Sequence, residues 1–162
     1  MLAQVAAPAS ALRALEEVFA YWARLRRDGR LPGRPDIDPN QFKPHLPTVS
    51  LIDVRPTPMS FRIRLAGTAL YSLYGRETTG LELEQVYRGD DAVYWRGELE
   101  KVVEGRRPGV GLRTLGSGEK GALSLLWLRL PLARDGERVD MILGYDALVG
   151  DLKLPESGIR AA

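Results

Sequence analysis

The sequence predicts an α+β fold, a five-stranded antiparallel sheet with helices on one face, preceded by an N-terminal amphipathic helix. Three observations predict it. Two strand-like segments lie close together before residue 67, and three more lie close together after residue 107. All helical patterning between strands falls in the single crossover that separates the two groups. A parallel sheet needs a helical crossover at nearly every strand, whereas hairpins joined by one helical connection give an antiparallel sheet.

Residues 1–10 are small and polar around Pro8 and read as a frayed end. From Ala11 to Asp28, Leu12, Leu15, Val18 or Phe19, Trp22 and Leu25 recur at helical spacing. Ser10 is the expected N-cap, and Gly29 the expected left-handed stop. Five prolines make Arg30–Pro47 irregular, with one helical turn at Pro39–Phe42 capped by Asp38. Thr48–Val54 and Ser60–Ala66 read as strands joined by a loop at residues 55–59. Thr68–Tyr74 is a short helix ending at Gly75, and Leu81–Tyr87 a further turn. Asp90 or Asp91 is expected to cap a longer helix to Glu104, with Ala92, Trp95, Leu99 and Val102 on one face. Pro108–Leu115, Ala122–Ala133 and Glu137–Leu148 read as a strand meander, joined at residues 116–121 and at Arg134-Asp135-Gly136. A polar tail covers residues 151–162.

The chain has 162 residues, 44% hydrophobic and 27% charged, which fits one globular domain. No apolar run approaches the ~20 residues of a membrane span, and Met1–Pro8 is a poor signal peptide, so a cytoplasmic location is expected. Absence of cysteine removes disulfides, thiolate metal sites and thiol nucleophiles. Nineteen of 23 basic residues are Arg, scattered along the chain with a net charge of +2, which weighs against nucleic-acid binding.

Chemistry-bearing residues are few. His45, the only histidine, is either a metal or haem ligand or a loop residue beside Pro44. No second His and no Cys stand with it, which favours the loop. Asp36 and Asp38 read as a turn cap and an Arg34 partner before they read as catalytic carboxylates. Arg62 and Arg64 share one face of their strand. They either reach a ligand in the pocket or face outward, and Phe61, Ile63 and Leu65 as core residues favour the outward face. The glycines from Gly105 to Gly118 flank or interrupt a strand, as bulges and turns do, without the strand-to-helix context of a phosphate loop. No catalytic set can be assembled, so no enzyme is expected and no metal site is assigned.

Tyr21-Trp22, Leu25-Arg26, Gly29-Arg30-Leu31-Pro32, Arg34–Pro39, Leu46-Pro47, Phe61–Thr68 and Gly75–Gly80 together resemble the PAS domain superfamily. In particular they resemble its short stand-alone bacterial members with a Trp-bearing first helix. The resemblance implies a helix at residues 1–30, a PAS-like domain at 31–150, and sheet order 2-1-5-4-3. It also implies a pocket between the inner sheet face and the helices of residues 68–104. Tyr71, Tyr74, Tyr94 and Trp95 would roof that pocket, and Trp127, Tyr145 and Arg64 are further candidates to line it. Haem-binding members use a His on the longer helix and flavin photoreceptors a Cys, so neither cofactor is expected.

The implied function is a small-molecule sensor signalling in trans to a partner protein. The alternative is a ligand-free dimerisation or adaptor module. The stripe Leu12, Leu15, Val18, Trp22 and Leu25 is too apolar for water, so the first helix must cover its own sheet or meet a second subunit in a homodimer.

Overall fold

The computed structural model describes residues 5–118 and 121–150. The expected tail at 151–162 and part of the frayed start therefore lie outside the described residues, as do Glu119 and Lys120 of the expected hairpin loop. The order is α1 (Pro8–Leu25), two 3-10 segments (Arg34–Asp36 and Pro39–Thr48), β1 (Val49–Pro56) and β2 (Met59–Ala66). There follow α2 (Thr68–Tyr74), α3 (Leu83–Val86), α4 (Gly89–Gly105), β3 (Gly109–Gly118), β4 (Gly121–Leu132) and β5 (Met141–Gly150). The five strands form one antiparallel sheet in the order β2-β1-β5-β4-β3.

Helix α1 differs from expectation at both ends. Pro8 occupies its first turn, where a missing N–H costs nothing. Ser10 is no cap, because its hydroxyl donates back to the Ala7 carbonyl at 2.8 Å. The helix stops at Leu25. Asp28 and Gly29, with φ of +52° and +74°, instead form a tight hairpin turn that pairs Arg27 with Arg30. Asp38 does cap the second 3-10 segment, accepting from the Asn40 N–H at 3.0 Å. Asp36 accepts from the Gly33 N–H at 2.7 Å rather than pairing with Arg34.

Helix α2 ends at Gly75 in the left-handed conformation. Asp90 and Asp91 lie inside the first turn of α4 and cap nothing. Strand β5 starts four residues later than its sequence predicts. Residues 133–136 are hydrogen-bonded elsewhere, Ala133 N–H to Pro32 and Leu31 N–H to Gly136, both at 2.9 Å. The side chain of Asp135 then accepts the Glu137 and Arg138 N–H groups and rounds the turn.

The sheet is covered on both faces. Helices α2–α4 lie over the inner face. On the outer face α1 packs against β4 and β5, burying Ala11, Leu15, Val18, Tyr21 and Trp22. The Trp22 indole donates to the Pro131 carbonyl at 2.9 Å, and the Tyr145 hydroxyl to that of Ala11 at 3.1 Å. Of the expected stripe, Leu15, Val18 and Trp22 are thus buried within this chain, while Leu12 and Leu25 are half-buried. Coverage on both faces explains why Leu125–Leu132 and Met141–Val149 are buried without alternation.

Candidate functional site

The sequence of β4 carries one charge, Arg129, in an apolar run, and β5 carries one, Asp146. Register places both on the inner face, since Trp127 pairs with Asp146 and Arg129 with Gly144. Gly144 leaves room for the guanidinium. A Cβ there would lie 2.5 Å from Ser50 Oγ and 3.2 Å from Arg129 Nη1.

The two charges meet. Arg129 Nη2 donates to Asp146 Oδ1 at 2.9 Å, with the side chains 3% and 1% exposed. Nη1 donates to the carbonyls of Leu128 and Tyr145 at 2.9 and 3.2 Å. The guanidinium also stands 4.8 Å from the centroid of the Trp95 ring, a cation–π contact. Arg129 Nε has no hydrogen-bond partner. Among the described residues, Oδ2 of Asp146 accepts no hydrogen bond. Burial pushes the Asp146 carboxyl up, and the Arg129 charge offsets this only in part. For Arg129, burial works against the charge, but Asp146 outweighs it and the pKa is raised.

This pair floors a small closed cavity of about 20 Å³, with Ser50, Ile52 and Ile63 beside it and Leu70, Tyr74, Leu83, Tyr87 and Trp95 above. A cavity of that size holds about one water molecule. The hydroxyls of Tyr74 and Tyr87 bond each other at 2.8 Å across the roof. Both phenols are pushed well above their ordinary range by burial and by the Asp146 charge. Roof helix α3 is tied down by Arg96 of α4, which holds Glu84, and by Glu82, which holds Arg55 of β1.

Of the expected pocket residues, only Tyr74 and Trp95 line this cavity. Tyr71 is 56% exposed on the far side of α2. Trp127 is buried one layer aside and donates its indole N–H to Tyr94 Oη at 3.0 Å, so these two satisfy each other. Gly111 permits this, because a Cβ there would stand 2.6 Å from the Trp127 ring. Tyr145 faces outward to α1, and burial raises its phenol to about 12.

Arg64 also faces outward, 3.5 Å from Asp53, and Arg62 donates to the Gly80 carbonyl. Leu65 is 51% exposed rather than core. The register shift at Leu51/Ile52 inserts Arg64 as an extra residue and turns Leu65 to the other face. His45 sits 2.5 Å from Glu17, and no group of three His, Cys, Asp or Glu that could hold a metal occurs among the described residues. Arg129 and Asp146, the centre of the site, were not among the candidates. The signal that marks them is a lone charge of each sign in two adjacent, otherwise apolar strands.

The residues present do not fit the larger groups found in relatives of this fold. Helix α4 carries no His for a haem iron, the chain has no Cys for a linked flavin, and the interior admits one water.

A second, open hollow of about 720 Å³ lies at the end of β5, between the start of α1 and α2. Asp146 and Leu70 form the wall it shares with the closed cavity.

A family model described as PAS domain matches residues 11–147. No curated protein matches in sequence. Among solved structures, the PAS domain of a protein from Colwellia psychrerythraea is 12% identical with a TM-score of 0.50, over 70% of this chain and 98% of that one. A LOV protein from Rhodobacter sphaeroides is 15% identical with a TM-score of 0.49, over 86% and 69%.

Proposed function

The chain belongs to the PAS domain family, and from that premise we propose that it senses a small molecule at the Arg129–Asp146 pair and reports it to a partner protein in trans. One observation carries the reading. A fully buried ion pair with a free donor, Nε, and a free acceptor, Oδ2, stands where the fold gathers its roof helices. Such a pair adds little stability over well-packed apolar side chains, so its presence points to a role beyond packing. The ligand is small and polar, because nothing larger than water enters the closed cavity. Signalling follows from movement of α2 and α3, which pack over the pair. The protein is proposed to act in the cytoplasm, without enzymatic activity and without haem or linked flavin. No helix among the described residues is long and apolar enough to cross a membrane.

The nearly filled interior favours a second reading, a ligand-free interaction module, in which a homodimer or partner contact is the whole function. Native mass spectrometry of purified protein separates the two. A retained mass lost in the double variant Arg129→Met/Asp146→Leu supports sensing. Bare protein that still captures its partner with the pair replaced supports the adaptor. Purified protein is expected to show no visible absorbance band, and a Soret band abolished by His45→Ala would overturn the cofactor assignment.

A further inference from the structure

The closed cavity is too small for an organic ligand, at about 20 Å³, whereas ligand pockets run from about 300 to 1,000 Å³. The hollow at the end of β5, at about 720 Å³, falls within that range. Its walls are mostly short side chains, including Ala11 and Ala14 of α1, Ala69 of α2 and Ala147 of β5, which together make a narrow apolar slot. Two of its hydroxyls are already committed, Ser10 to the Ala7 carbonyl and Thr48 to the His45 carbonyl. Asp146 lines the slot, is 2% exposed, and has one oxygen bonded to Arg129 and the other accepting nothing among the described residues. A buried carboxylate oxygen without a donor is a defect that a ligand can repair.

We propose that this slot is the ligand site, and that it takes a small uncharged molecule with an apolar body and one N–H or O–H donated to Asp146. The inference rests on the sensory reading above and places the ligand outside the closed cavity. The charge state follows from the pair. Arg129 already balances Asp146 at 2.9 Å, so a cationic ligand would leave a buried excess of positive charge. An uncharged donor leaves the pair neutral. A ligand on Asp146 draws the carboxylate from Arg129, whose guanidinium rests against Trp95 of α4. Occupancy of the slot thereby reaches the roof of the interior.

The test is a titration of isotopically labelled protein, followed by amide NMR, with benzyl alcohol, benzyl methyl ether and benzylamine. These share a ring but offer a neutral donor, no donor and a cation. Benzyl alcohol should shift Ala69, Ser72 and Ala147 saturably. The ether should bind about tenfold more weakly or worse, the loss of a hydrogen bond to a charged acceptor. Benzylamine should bind no more tightly than the alcohol. Ala69→Phe narrows the slot without touching the ion pair and should weaken the alcohol at least about tenfold, by steric exclusion.

Equal binding of alcohol and ether, tighter binding of the amine, or indifference to Ala69→Phe would overturn the assignment. Shifts confined to Ile52, Leu83 and Trp95 would overturn the slot and leave the sensory reading standing. No saturable shift with any compound, together with no retained mass in the native spectrum, would remove both.

Discussion

Replacing Asp146 by Leu should destabilise the protein far more than its size suggests, and replacing Arg129 by Met as well should restore most of the loss. In Asp146→Leu, Arg129 Nη2 loses its one acceptor and Nε already has none. Only Nη1 keeps its partners, the carbonyls of Leu128 and Tyr145. A cation is left 3% exposed with two of three nitrogens unpartnered. Removing one partner of a buried pair costs about 3–5 kcal/mol, which for a chain of this size lowers the melting temperature by about 6–20 °C. Replacing both by apolar residues is neutral or stabilising by about 1–4 kcal/mol.

Arg129→Met alone should differ in its pH dependence. Burial holds the Asp146 carboxyl above its unfolded value of 3.8. Without Arg129 that shift grows, and the cost of keeping the carboxylate ionised is largest at neutral pH. As pH falls toward 3.8 the folded state takes up the proton first, so the deficit against wild type should narrow. Circular-dichroism melts of the four proteins from pH 7 to pH 4 measure all of this. A double variant no more stable than the worse single one, or singles melting within about 2 °C of wild type (under 1 kcal/mol), would refute the reasoning.

Gly144→Ala should destabilise by about 1–3 kcal/mol through overpacking, since its Cβ meets Ser50 Oγ at 2.5 Å. Adding Ser50→Ala should recover part of that loss in urea titrations, and no recovery would mean that the clash lies with Arg129. Trp22→Ala should cost about 3–5 kcal/mol through the cavity it leaves beneath α1 and the lost bond to Pro131. Paired with Leu15→Ala, it should lower the melting temperature without changing sedimentation, and a change of size instead would assign α1 to a subunit interface. Tyr74, Tyr87 and Tyr145 have folded pKa values raised above 10, Tyr145 to about 12. Their contribution is therefore complete below pH 10 and lost as pH rises through and beyond it. Absorbance at 295 nm should show these phenols ionising only with the alkaline loss of structure, and early titration of all six tyrosines would contradict the burial.

Much of the fold is legible in local pattern, because hairpins and glycine stops leave marks at fixed places. Thr68–Tyr74 with Gly75 matches its helix residue for residue, and the two-strand, helices, three-strand order yields the sheet. What local pattern cannot show is which face of a doubly covered strand looks inward. Tyr145 and Asp146 stand in a run that is buried on both sides, so alternation carries no signal, and only the register with Trp127 and Leu128 separates them. Leu65 is lost to the same blindness. A single inserted residue, Arg64, reverses its face, and nothing local marks the insertion. Helix α1 misleads at its end because Asp28-Gly29 serves a hairpin as readily as a helix stop. The ion pair was the more accessible omission, since a lone charge in an apolar strand is visible without any coordinates.

The closing of the sheet by its last strand has a consequence for synthesis. Trp22 waits for Pro131, 109 residues downstream, and Ala11 for Tyr145, 134 residues downstream. At ribosomal rates of about 5–20 residues per second, the apolar side of α1 has no surface to cover for on the order of ten seconds. Strands β1 and β2 emerge as a hairpin lacking the central neighbour that β5 provides. The nascent chain therefore presents an amphipathic helix and an open sheet edge together until translation is nearly over. Its first binding partner in the cell is then a holdase or the ribosome surface, before any molecule it was made to detect.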